Sequence, residues 1–208
     1  MKLKNKPYKR ILSFIAETGM LMQMPRSHKQ HLGNAFDTVA SHSHHTSIIS
    51  YCLARMEGLP HEEGIHTMAM SILHDLPETR TGDLNYVEKH YATVDEKKAI
   101  DDQLHGLPFK NDLVNLFQEY NNRITLASKC AKDADIINQL YQEWVLDFMG
   151  NKMAKRWFML KYKTTVPYLR TKSAKTLALG IPKTHPHEWW FSELVEKNLN
   201  KEYLNGKK

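Results

Sequence analysis

Helical periodicity runs through this chain almost from end to end. Tyr8, Ile11, Leu12, Ile15 and Ala16 recur three and four residues apart, and so do Ile65, Met68, Ala69, Ile72 and Leu73. That spacing gathers side chains on one face of an α-helix, whereas a half-buried strand would alternate at every second position. No convincing strand pair interrupts the pattern. Glycine and proline fall between the periodic segments, at Gly19, Pro25, Gly33, Gly58-Leu59-Pro60, Gly82, Gly106-Leu107-Pro108, Gly150 and Gly180-Ile181-Pro182, where they end helices and make turns. The expectation is an all-α bundle with helices over about 7–19, 38–57, 61–76, 93–105, 110–121, 124–149, 151–163, 167–178 and 187–200. Thr93-Val94-Asp95-Glu96 has the form of a capping box and places a helix start beside Thr93. The stretch from Gly19 to Asp37 reads as a long loop, a length common in binding and lid elements.

The chain has 208 residues, 41% of them apolar and 25% charged, enough to bury a core and inconsistent with intrinsic disorder. It holds no repeats and no Pro/Gly/Ser linker, so residues 1–208 read as one domain. The motifs lie within about 8–150, and a shift toward Lys, Arg and aromatics after Gly150 marks a C-terminal helical extension over about 151–208. No apolar run approaches the roughly 20 residues of a membrane helix, and the basic first residues lead into no signal-type apolar segment. With only two cysteines, Cys52 and Cys130, both in helical patterns, the chain has no disulfide framework, and a cytoplasmic protein is expected. The net charge of +6 is spread along the chain, with a small concentration at Lys207 and Lys208. It suits a phosphorylated small molecule or a polyanion without choosing between them. The 12 histidines are more informative, because imidazole is the commonest metal ligand.

Their positions matter. In Ser71-Ile-Leu-His74-Asp75-Leu-Pro-Glu78 a His-Asp pair ends an apolar helix before a proline, and Asp75 continues the line through Met68 and Ile72. A carboxylate facing a core needs a cation or a partner. Val39-Ala-Ser-His42 opens a helix whose inward line can be drawn through His42, His45, Ile49, Cys52, Leu53 and Met56. Lys132-Asp133-Ala134-Asp135 precedes Ile136, Ile137, Leu140, Tyr141 and Trp144. Each piece has an ordinary reading alone: a hydrogen-bonded core histidine, or an ion pair of Asp135 with a nearby lysine. Together they offer two imidazoles and two carboxylates, a mixed N/O set suited to a divalent ion such as Mn, Co, Fe, Ni, Zn or Mg, with room for water and a substrate oxygen.

The order His42, His74-Asp75, Asp135 across separate helices resembles the HD-domain phosphohydrolase superfamily. Gly19-Met-Leu-Met-Gln-Met-Pro25-Arg26, Val39-Ala-Ser-His42-Ser, His74-Asp75-Leu-Pro-Glu78-Thr-Arg-Thr-Gly82-Asp83 and Lys132-Asp-Ala-Asp135 resemble more narrowly the branch of bacterial 5'-deoxynucleotidases (YfbR type) and the HD-domain-containing protein 2 group. That resemblance implies His42, His74, Asp75 and Asp135 as metal ligands, Glu78 as the carboxylate that activates or orients water, and Asp83 as a second catalytic or substrate-contacting acid. Read from the residues alone, Glu78 could instead pair with Arg80 and Asp83 could cap the next helix. Arg26 and Lys132 are candidates for phosphate contact, one as a bidentate fork and the other as a point charge. Ser43, His44 and His45 are either first-turn polar residues or partners that orient His42.

The deoxynucleotidases carry an Arg-Trp pair directly before the loop proline, whereas this chain has Gln23-Met24-Pro25, so sugar preference does not carry over. Trp144, Trp157, Phe158, Trp189 and Trp190 read as core or dimer-surface aromatics rather than base-stacking residues. The expected activity is hydrolysis of (deoxy)nucleoside 5'-monophosphates by a homodimeric enzyme with a small phosphorylated nucleotide as partner and neither membrane nor nucleic acid. Hydrolysis of a nucleoside triphosphate or a guanosine alarmone, and a non-catalytic nucleotide- or nucleic-acid-binding module, are the alternatives.

Overall fold

Every regular element in the described residues, 6–33 and 37–199, is helical in the computed structural model. Helix α1 (Lys6–Thr18) runs into a 3-10 turn at Gly19–Met22 and a single-turn α2 (Lys29–Leu32). The long α3 (Val39–Met56) and α4 (His61–Leu73) follow, then two single turns, α5 (Glu78–Thr81) and α6 (Glu88–Tyr91). Next come α7 (Glu96–Leu104), α8 (Lys110–Asn122), the 23-residue α9 (Leu126–Phe148), α10 (Lys152–Thr164) and α11 (Lys172–Gly180). A short α12 (Glu188–Trp190) continues into a π-helical turn at Phe191–Glu196. The expected all-α bundle is therefore what the chain forms. Lys207 and Lys208 and the rest of the extension beyond residue 199 lie outside the described residues.

Side-chain caps begin several of the helices, α3, α9 and α11 among them. Thr38 stands in extended backbone before α3, its hydroxyl accepting from the Ser41 N–H while the Ser41 hydroxyl accepts from the Thr38 N–H. Two orphan donors are thereby satisfied at once. Thr125 caps α9 and Thr171 caps α11 in the same sense. Asp95, not Thr93, starts α7: its carboxylate accepts from the Lys98 N–H at 2.8 Å, which places the helix start two residues later than the sequence reading. The helix expected over 167–178 also starts late, because Pro167 sits in a 3-10 turn before the Thr171 cap. The 19–37 segment is not structureless. It carries the Gly19–Met22 turn and α2, and an isolated antiparallel bridge joins Pro25 to Thr38.

Helices α3, α4 and α9 pack on one another at the centre. Behind them α10 and α11 close a core of Leu53, Ala54, Cys130, Ile137, Leu140, Phe158 and Leu169. The first turns and α7–α8 build a second core from Leu21, Val39, Leu76, Leu104 and Phe117.

The inward faces of α3 and α4 differ from those drawn through their large apolar residues. On α3 the buried positions include Val39, His42, Ser43, Thr46, Ser50 and Leu53, whereas Cys52 and Met56 are exposed. On α4, Gly64, Thr67, Met70 and Ser71 are buried, while Ile65 and Ile72 are exposed. The reason is close approach: a Cβ on Gly64 would come within 2.8 Å of the Tyr51 ring. Several hydroxyls in this small-residue seam bond to their own helix backbones, Ser47 to the His44 carbonyl at 2.7 Å, Ser50 to Ser47 at 2.8 Å and Thr67 to Glu63 at 2.7 Å. Such bonds satisfy those three donors inside the protein, whereas the hydroxyls of Ser43, Thr46 and Ser71 in the same seam have no hydrogen-bond partner among the described residues.

Candidate metal centre

His74 is the residue that ends α4, where Pro77 turns the chain away. Its Nδ1 lies 2.6 Å from the Ser71 carbonyl oxygen. A carbonyl can only accept, so Nδ1 carries the proton and Nε2 presents its lone pair. His42, one turn into α3, is fixed the same way, with Nδ1 2.7 Å from the Asn138 side-chain oxygen. The two rings stand 5.4 Å apart, both buried, and neither Nε2 atom has a hydrogen-bond partner among the described residues.

Two carboxylates face those nitrogens. Asp135 Oδ1 is 3.3 Å from His42 Nε2 and 4.0 Å from His74 Nε2. Asp75 Oδ2 is 3.5 Å from His42 Nε2, and its other oxygen is 3.1 Å from His74 Nε2. Donor atoms of His42, His74 and Asp135 all lie within 4.8 Å of one another, a grouping that can hold a metal ion. Asp75 adjoins this trio and turns one oxygen toward Arg26, 3.1 Å from Nη1.

The electrostatics match a cation site. Burial alone would push the Asp75 carboxyl up, but the charges of His74 and Arg26 hold it down at about 2. Asp135 is held well below the usual carboxylate range against its burial, by Lys132 and the two histidines. Burial lowers the His74 pKa, yet Asp75 and Asp135 outweigh it and raise it. Without a cation His74 thus takes up part of the role of positive charge, and a bound dication would replace its proton. Two unsatisfied buried nitrogens aimed at two ionised carboxylates fit a divalent metal.

Arg26 reaches this centre because its loop is pinned twice. Its N–H bonds the Asp37 carbonyl at 3.1 Å, and the next amide, on Ser27, donates to Asp83 Oδ2 at 2.9 Å. The guanidinium is buried, with Nη1 3.4 Å from Asp83 and 4.0 Å from Glu78 besides its bond to Asp75. Glu78 does not pair with Arg80, whose partner is Glu17. Burial and the charges of Asp75 and Asp83 push the Glu78 carboxyl up to about 9, and its Oε2 has no hydrogen-bond partner among the described residues. Asp83 caps no helix; it ties the Arg26 loop to the site. Lys132 donates to Asp135 Oδ2 at 2.7 Å and sits 5.5 Å from the Tyr120 ring centroid.

All eight candidate site residues, Arg26, His42, His74, Asp75, Glu78, Asp83, Lys132 and Asp135, line a single cleft of about 830 Å³. Others there carried no motif. Asn138 joins His42 to His45, its Nδ2 donating to His45 Nδ1 at 2.8 Å, and its position three residues after Asp135 on α9 is the only hint the sequence held. Tyr120 lies against His74 with ring centroids 5.2 Å apart. His28, in the loop after Arg26, also lines the cleft. Asp133, two residues before Asp135, faces the opposite way: its buried carboxylate accepts from the Arg170 and Thr171 amides and the Thr171 hydroxyl, so it anchors α11.

Residues 18–177 match the model of a family described as the HD domain. Solved structures share the fold. A structural-genomics protein is 25% identical with a TM-score of 0.71, covering 87% of this chain and 99% of its own. A conserved hypothetical protein from Pyrococcus furiosus is 22% identical with a TM-score of 0.69 over 83% of this chain and 99% of its own. A protein from Magnetospirillum magnetotacticum, described as a predicted metal-dependent phosphohydrolase, is 20% identical with a TM-score of 0.66 over 87% and 93%. No curated protein matches the chain significantly. Among the described residues, no helix is long and apolar enough to cross a membrane.

Proposed function

This chain belongs to the HD-domain family and shares its fold with a protein described as a predicted metal-dependent phosphohydrolase, and on that premise we propose that it hydrolyses nucleoside 5'-monophosphates, deoxynucleotides among them, to nucleoside and phosphate. The observation that carries the proposal is the pair of buried, unpartnered Nε2 atoms of His42 and His74 facing Asp75 and Asp135, with Glu78 beside them in an open cleft. In this reading His42, His74, Asp75 and Asp135 hold the metal.

A divalent ion held by these residues would supply acidified water and polarisation of a phosphoryl oxygen. The chain does the rest. Arg26 and Lys132 set cationic groups at the rim of the carboxylate cluster, where they offset the charge of a phosphate that would otherwise be repelled. In the protein alone, burial and the charges of Asp75 and Asp83 keep Glu78 protonated up to about pH 9. Added positive charge nearby lowers that pKa and converts the same group into a proton acceptor. Asp83 acts by holding the Ser27 amide and Arg26 in place. The reaction needs no covalent phosphoenzyme. A small phosphorylated nucleotide as ligand and a homodimeric assembly belong to the same proposal.

The test is a panel. Protein stripped of metal and reloaded with Mn, Co or Mg is incubated with ribo- and deoxynucleoside mono- and triphosphates, and released phosphate and pyrophosphate are measured. Metal-dependent phosphate release confined to monophosphates is the expected result. Pyrophosphate or triphosphate release would move the activity to triphosphates. No turnover together with tight, salt-dependent oligonucleotide binding would overturn it in favour of a binding module.

A further inference from the structure

The cleft continues past the metal centre along α9, and its far end contains a buried acid that the reaction does not use. Glu143 is 4% exposed and lines the cleft. Its Oε1 pairs with Lys161 Nζ at 2.5 Å, and the same ammonium donates to Gln139 Oε1 at 3.0 Å. Its Oε2 is buried with no hydrogen-bond partner among the described residues. An unmet buried acceptor beside a cleft is costly unless a ligand donor completes it. Burial pushes the Glu143 carboxyl above its ordinary range even against Lys161, which fits a group whose remaining partner comes from outside. Trp157 and His31 line the same cleft with ring centroids 5.9 Å apart.

Spacing connects this end to the metal centre. Asp135 and Glu143 are eight residues apart on α9, a rise of about 12 Å, comparable to the length of a nucleoside. Gln139 lies between them on the same cleft wall.

We propose that this end of the cleft is a nucleobase subsite in which Trp157 stacks the base and Glu143 Oε2 accepts a hydrogen bond from an exocyclic amine. Lys161 keeps the second carboxylate oxygen occupied, so one acceptor faces the ligand. Amino-bearing bases are therefore preferred over their oxo counterparts. The inference rests on the nucleotide reading above and specifies the base class that the site selects.

Cytosine and uracil nucleosides form a suitable probe pair, since they differ at C4 in an amine against a carbonyl and in the proton on N3. Binding of deoxycytidine and deoxyuridine to the full chain is measured by calorimetry, which requires no turnover, and KM is measured for dCMP and dUMP. The wild type is expected to favour the amino base by about tenfold, the scale of a hydrogen bond to a charged acceptor. Glu143→Gln is expected to bring that ratio near one, and Trp157→Ala to weaken both nucleosides by about tenfold, the loss of one stack. Cooperative thermal unfolding identifies variants that have kept the fold. Should Glu143→Gln not fold, the wild-type preference and Trp157→Ala decide the matter. Equal affinity of the wild type for the two nucleosides, or a ratio unmoved in a folded Glu143→Gln, would overturn the subsite. Selective nucleoside binding with no hydrolysis of any nucleotide would uphold the subsite and sink the hydrolase instead.

Discussion

Asn138 Oδ1 lies 2.7 Å from His42 Nδ1, and this bond decides which nitrogen of the imidazole faces the carboxylates. The amide also spans to His45, so its orientation is held from both ends. Outer partners of this kind set ligand orientation and basicity, and losing one typically weakens metal binding by about 10- to 100-fold. Asn138→Ala is therefore expected to lower Mn or Co affinity by about that factor while the helical content stays intact. Titration of the stripped protein with metal measures it, and unchanged affinity would show that His42 needs no orienting partner.

Glu78 and Asp75 are three residues apart but differ in what they touch. Asp75 faces both imidazoles, so Asp75→Ala is expected to lose metal and turnover together. Glu78 approaches Arg26 and stands off the imidazoles, so Glu78→Gln is expected to retain metal and lose about 10²- to 10⁴-fold in kcat. Metal content and kcat of the two variants separate the roles. Near-normal turnover of a metal-loaded Glu78→Gln would remove Glu78 from the chemistry.

Arg26 sits among three acids, and its removal leaves Asp75, Glu78 and Asp83 facing one another without a counter-charge. Breaking a buried ion pair by deleting one partner costs about 3–5 kcal/mol. Arg26→Met is expected to lower the melting temperature of the metal-free protein and to show a larger stabilisation by Mn than the wild type, since the ion supplies the missing charge. An identical metal-induced shift in both proteins would contradict this coupling.

Asp133 and Asp135 make a contrast within one helical turn. Asp133→Ala strips the Arg170 and Thr171 amides and the Thr171 hydroxyl of their shared acceptor and is expected to destabilise by about 3 kcal/mol or more. Asp135→Ala is expected to abolish metal binding at a smaller cost to stability, because it removes one of several crowded acids. Urea unfolding and metal titration of both variants check the division, and equal destabilisation would erase it.

His28 gives a pH signature. Burial, and then the charge of Arg26, lower its pKa to about 4 from an unfolded value of about 6.5. The fold keeps His28 neutral, which contributes nothing above about pH 6.5 and destabilises progressively as pH falls toward 4, because the unfolded chain takes up the proton first. His28→Gln is expected to lose less stability than the wild type across that window. Parallel stability curves for the two proteins between those pH values would refute the assignment.

Helical class and the order of the candidate ligating side chains were legible in the chain itself. A 3.6-residue repeat is a local property, and so is the run from His74 to Asp83, whose glycine and proline set the turn that brings Glu78 and Asp83 beside Asp75. The faces of α3 and α4 were not legible, because hydrophobic spacing alone takes large residues as the inner face. Here the tight α3–α4 approach at Gly64 selected serine, threonine and glycine for the inside and left Ile65 and Ile72 outside. Nor could the chain say that Asp133 anchors α11 while Asp135 meets the histidines. Residues two apart on a helix point in directions about 200° different, and only the packing of α9 decides which direction is the cleft. Arg26 joining three acids and Asn138 bridging two histidines are contacts across 49 or more residues of sequence. No local pattern encodes such meetings; they arise when the helices close on one another.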